Sequence, residues 1–210
     1  YDVFYGYDLT GALTTETYPS GRVIATGYDR AGRSLQVQGP GVVYAQNVAF
    51  APHGAATSRL MANGALQETM SYTGGLQPAS KLLQKVTPLT THWQQQLYYH
   101  TNGNVQYQTL QPLGVNQFYY YDNLNRLYYE EEPSGTYVYR QYGFDAYGNR
   151  WVQAYAGVPL DVYTPTAQAQ INAANNRLVM TGVSFDAAGN QTLIRNYAAT
   201  YDAENRLRTV

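Results

Sequence analysis

Eight aspartates are the side chains in this 210-residue sequence best suited to chemistry. Carboxylates can serve as general acids or bases, as nucleophiles in glycoside hydrolysis, or as ligands for hard cations. Seven of the eight directly follow an aromatic residue, and six of those pairs open one short phrase. The copies are Tyr7-Asp8-Leu9-Thr10-Gly11, Tyr28-Asp29-Arg30-Ala31-Gly32-Arg33, Tyr121-Asp122-Asn123-Leu124-Asn125-Arg126, Phe144-Asp145-Ala146-Tyr147-Gly148-Asn149, Phe185-Asp186-Ala187-Ala188-Gly189-Asn190 and Tyr201-Asp202-Ala203-Glu204-Asn205-Arg206. Catalytic acids gathered from separate parts of a fold have no reason to share neighbours.

Other reactive groups are sparse. His53, His92 and His100 lack the spacing of a metal pair on a strand or helix. Ser20 and Ser134 sit in Pro-Ser-Gly turns, without the G-x-S-x-G context of a nucleophile elbow. Glu130-Glu131-Glu132 is the one charge run and reads as a solvated strand end. Glycoside hydrolysis needs two opposed carboxylates at a set separation, and no such partner for this run is evident. No enzymatic chemistry and no cofactor is expected.

The phrase has its own physical meaning. An aspartate followed two residues later by a free backbone N–H, with glycine fourth, spells a type I turn. A left-handed glycine at the end adds a G1 bulge and closes a β-hairpin. Asn125 and Asn205 replace the glycine in two copies, and Asn tolerates that conformation better than other side chains. Positive φ is therefore expected at Gly32, Gly148, Gly189, Asn125 and Asn205. The frame continues in Phe50-Ala51-Pro52-His53-Gly54, in Tyr99-His100-Thr101-Asn102-Gly103, and in a degenerate Tyr72-Thr73-Gly74-Gly75. Anchors at 7, 28, 50, 72, 99, 121 and 144 recur about every 21 to 27 residues, which marks a repeat array.

Midway between phrases lie Tyr18-Pro19-Ser20-Gly21 and Glu132-Pro133-Ser134-Gly135, a second kind of turn. The intervals predict strands at 12–17, 22–28, 126–131 and 136–144, several with period-two alternation. The expected fold is all-β: tandem antiparallel hairpins over residues 1–210, more than half strand. Residues 157–176 depart from the pattern. Either a short helix capped by Thr164, with Pro165 in its first turn, or an irregular insertion fits them.

Composition narrows the function. Tyrosine (23) outnumbers phenylalanine (5) and tryptophan (2), which suits a thin sheet with much wetted surface. Net charge is −1 without a basic stripe, so no nucleic-acid partner is expected. Cysteine is absent, and no apolar run is long enough for a membrane helix.

These phrases and the Tyr-Pro-Ser-Gly turns between them resemble the YD repeats of Rhs proteins, which also occur in the BC cocoon of insecticidal toxin complexes and in teneurin shells. The resemblance covers nearly the whole chain and is weakest at 55–98 and 150–176. It implies a hairpin sheet spiralling into a hollow shell around a C-terminal toxic effector, in a secreted or cell-surface bacterial protein. Its partners would be the remainder of the parent shell and the enclosed polypeptide. The family's Arg- and Pro-rich core and its Asp-Pro-x-Gly-type self-cleavage site are not found here, so the chain reads as a segment of wall. Rows of tyrosine offer a second expectation, a glycan-binding or adhesive surface.

Overall fold

The computed structural model describes residues 2–210, and more than half of them lie in strands. Fourteen strands follow one another as hydrogen-bonded neighbours in chain order. They are β1 Phe4–Tyr7, β2 Leu13–Thr17, β3 Val23–Tyr28, β4 Ser34–Gly39, β5 Val42–Phe50, β6 Ala56–Met61 and β7 Leu66–Tyr72. There follow β8 Pro78–Lys85, β9 Thr90–Tyr99, β10 Val105–Gln111, β11 Val115–Tyr121, β12 Leu127–Glu132, β13 Val138–Phe144 and β14 Arg150–Ala156. Every pairing described is antiparallel. The four strands expected from turn spacing all form, displaced at their ends by no more than two residues.

An up-and-down meander sorts its turns. Each odd-numbered strand from β1 to β13 ends on an aromatic anchor and runs into an aspartate-type phrase, and each even-numbered strand returns. Within each unit the aspartate-type turns therefore lie on one side of its strands and the intervening turns on the other. The repeat length is set by two strands and two turns.

The chain divides into two compact units, residues 1–116 and 117–210. In the first, β6, β7 and β8 carry the one buried charged residue among those described, Glu68. Its carboxylate meets the Arg59 guanidinium at 2.6 Å and the Lys81 ammonium at 2.8 Å, one from each flanking strand. In the second, Tyr142 and Val152 are paired across β13 and β14 and are buried together with Ile171. No described side chain is fully enclosed. The described residues expose 13573 Å², against about 9,700 Å² for a compact globule of this mass.

After β14 the strands shorten. Residues 157–167 contain no strand, and a single 3-10 turn spans Gln168–Gln170. Of the two expectations for 157–176, the helix does not form. The Pro165 carbonyl accepts the Val152 N–H at 2.8 Å, which holds this stretch against β14 as extended chain. Gln170 Oε1 takes the backbone N–H groups of Thr166 and Ala167 at 2.6 and 3.1 Å, which pins the turn. Three small sheets follow: β15 Ile171–Asn172 with β16 Arg177–Leu178; β17 Val183–Phe185 with β18 Gln191–Ile194 and β19 Tyr197–Ala198; and β20 Thr200–Tyr201 with β21 Leu207–Thr209. None of the described helical residues forms a helix long and apolar enough to cross a membrane.

Candidate functional site

The six aspartates occupy equivalent places in equivalent turns. In each, the Asp N–H donates to the carbonyl four residues on, and the N–H three residues on donates back to the Asp carbonyl, all at 2.9 to 3.2 Å. The closing residue is left-handed every time: φ is 84° at Gly11, 77° at Gly32, 59° at Asn125, 85° at Gly148, 99° at Gly189 and 60° at Asn205. The register slips by one residue at the anchors Tyr7, Tyr28, Tyr121, Phe185 and Tyr201, and in the strand that ends at Phe144 it slips between Gln141 and Tyr142. That is the bulge of a type I turn closed by a left-handed residue.

The carboxylates are consumed by this geometry. Asp29 Oδ1 accepts the Ala31 and Arg33 N–H groups at 2.8 and 2.9 Å, while Oδ2 takes the Arg33 Nε at 2.7 Å. Asp122 does the same with Leu124 and Arg126, and Asp202 with Glu204 and Arg206. At Asp145 and Asp186 the Oδ2 partner is an amide, Asn149 Nδ2 at 2.8 Å and Asn190 Nδ2 at 2.9 Å. Asp8 is clasped by the Thr10 hydroxyl. Each acid is held below the usual carboxylate range by donors to its charged form. The largest cause is the Arg33, Arg126 or Arg206 backbone N–H at Asp29, Asp122 and Asp202. It is the Asn149 or Asn190 side chain at Asp145 and Asp186, and the Thr10 hydroxyl at Asp8.

The sequence left one role unread. The residue four after the aspartate looks like an ornament of the phrase, yet it reaches the next turn as well as its own. Arg126 lies over the Phe144 ring at 4.5 Å and donates to the Asp145 carbonyl at 3.3 Å. Arg33 lies over Phe50 at 4.4 Å. Gln77 donates to the Gly103 carbonyl at 2.9 Å. Asn149 and Asn190 donate to Asn176 and Asn205 at 2.8 Å. Its recurrence as Arg or Asn in five of six phrases was the available signal.

The acids of the Glu130–Glu132 run are also tied up. Glu131 accepts the Tyr137 and Tyr120 hydroxyls at 2.5 and 2.7 Å. The Tyr137 bond, then the Tyr120 bond, hold its carboxyl below the ordinary range, and Glu131 in turn pushes the Tyr137 phenol up. Glu130 and Glu132 border a recess of 290 Å³, where Glu130 accepts from Tyr142 at 2.7 Å and Glu132 from Gln117 at 2.9 Å. Among the described residues no cluster of three His, Cys, Asp or Glu side chains could hold a metal ion.

An antiparallel hairpin ladder closed by repeated aspartate turns defines an all-β repeat fold. Residues 7–41 match the RHS Repeat. No curated protein matches the sequence. Solved structures match the fold along almost the whole chain. The Tc holotoxin pore of Photorhabdus luminescens with a TccC3 mutation aligns with a TM-score of 0.80 at 18% identity, covering 98% of this chain and 12% of that one. TcdB2-TccC3-Cdc42 aligns at 0.82 and 18%, and TcdB2-TccC3 at 0.81 and 19%, with the same coverage. The chain thus spans about an eighth of the length of the proteins whose fold it shares.

Proposed function

We propose that this chain is wall: a stretch of RHS-type β-shell that encloses a toxin or effector polypeptide and keeps it inactive by steric sequestration. The observation that carries this reading is the fold match to TcdB2-TccC3 over 98% of the chain. The geometry agrees with a passive role. All six phrase aspartates are spent on closing turns, and the Arg33, Arg126, Asn149 and Asn190 partners also reach the next repeat. The partners are the rest of the parent shell and the enclosed polypeptide, in a secreted or cell-surface bacterial protein. The tyrosine rows, read as a glycan surface, have a competing use. The Tyr120, Tyr129 and Tyr139 rings pack on one another at 5.5 and 5.7 Å, as cross-strand pairs do.

Protease protection tests the proposal. In the full-length protein that contains this chain, one further segment should resist protease in the intact particle and be cut rapidly after mild denaturation. Equal cleavage of every segment in both states would show that nothing is enclosed.

A further inference from the structure

We propose that the residue directly after the left-handed closing residue of each aspartate-side turn selects the anchor ring of the next repeat: arginine selects phenylalanine, and an uncharged residue leaves the place open to tyrosine. The inference concerns how neighbouring repeats recognise each other and stands apart from what the wall encloses. Three repeats carry arginine at this place, and the next anchor is phenylalanine each time: Arg33 over Phe50, Arg126 over Phe144, and Arg177 over Phe185 at 5.6 Å. Five repeats carry Ala12, Ala55, Gln77, Asn104 or Asn190 there, and the next anchors are Tyr28, Tyr72, Tyr99, Tyr121 and Tyr201; Asn149 is followed instead by Ile171, where no ring stands. The Tyr28, Tyr72, Tyr99 and Tyr201 hydroxyls each donate to the first carbonyl of an earlier even-numbered strand. The acceptors are Leu13 at 2.8 Å, Ala56 at 2.7 Å, Pro78 at 2.7 Å and Gln191 at 3.0 Å. Those four residues are the cross-strand partners of the preceding anchors Tyr7, Phe50, Tyr72 and Phe185.

The two devices address the same gap between successive turns. A guanidinium fills it by lying on the ring face and donating to the carbonyl just after the anchor, as Arg126 and Arg177 do at Asp145 and Asp186. A phenol fills it by sending its hydroxyl to a carbonyl one residue beyond the place the arginine occupies. With both present, the guanidinium and the phenol hydroxyl compete for the same space, and the hydroxyl's carbonyl lies beyond the arginine. With neither, the gap holds an unpaired carbonyl and a bare ring edge. The residue after the left-handed one is therefore a specificity determinant for repeat order.

Amide exchange in the following turn reads the lock locally, without requiring two-state unfolding of the array. Phe144→Tyr with Arg126 retained should speed exchange at Asp145, Gly148 and Asn149 about threefold or more, and so should Arg126→Asn alone. The double variant should return to the original rate. At the opposite setting, Tyr201→Phe should loosen Asp202, Asn205 and Arg206, and adding Asn190→Arg should restore them. If either Arg126 variant fails to fold, the Asn190 and Tyr201 pair decides. Additive effects in the doubles, or no effect of Phe144→Tyr while Arg126 is present, would overturn the rule.

Discussion

At the scale of the residue, the carboxylate that invites a catalytic reading is a clip. Asp122 has one oxygen on two backbone N–H groups and the other on the Arg126 guanidinium, so both oxygens are occupied. Such an arrangement stabilises the ionised form and makes folding pH-dependent. The sign follows from the direction of the shift. The folded pKa of Asp122 and Asp145 lies below the ordinary value, so their contribution is fully present above the unfolded carboxylate pKa of about 3.9. It is lost as pH falls through the lower folded value. The melting temperature should therefore be level at neutral pH and drop on acidification below that range. In the double variant Asp122→Asn with Asp145→Asn, which keeps the Oδ1 acceptor and removes the charge, the drop should be shallower. Identical acid profiles for the two proteins would mean that these carboxylates do not couple to folding.

At the scale of the element, the hairpin is where most of the fold was legible. An aspartate, two permissive residues and a glycine specify both the turn and the point at which pairing resumes, so strands such as Val23–Tyr28 follow from their borders. The degenerate repeat shows what this reading misses. Gly74 and Gly75 suggest the left-handed slot, yet the closing residue is Leu76, at φ 65° with its N–H on the Thr73 carbonyl. A leucine held there is strained. Ala62 and Asn63 take φ of 51° and 57° in the β6–β7 turn, where the alanine gives no turn signal. The insertion at 157–167 was opaque for a related reason: a single bond from Val152 to Pro165 decides it, and no local pattern encodes that contact. The same slot gives opposite mutational outcomes in two repeats. Gly148 has φ +85° with open space where a Cβ would go, so Gly148→Val should cost about 1–3 kcal/mol from backbone strain alone. Leu76 is 58% exposed, so Leu76→Gly should stabilise by about 0.5–1 kcal/mol by relieving strain with little burial lost. Denaturant unfolding of each variant checks both signs. A destabilised Leu76→Gly would show that its side chain packs more than its exposure suggests.

At the scale of the whole molecule, the fold gives each repeat two neighbours and little else. Stability in such an array comes from the interfaces between units, here the sheet ladder and the bridges along the turn side. The resemblance of the phrases to YD repeats led to the wall architecture. The function it implies needs something the chain itself does not display, a polypeptide on one face only. Strand alternation supplies the test, because Tyr128 and Tyr129 are successive residues of β12 and point to opposite faces. A photo-crosslinking amino acid placed at Tyr128 or at Tyr129 of the full-length protein reports which face meets a polypeptide. The wall account predicts crosslinks to one internal segment from one of the two positions and none from the other. Crosslinks from neither, or equally from both, would contradict it.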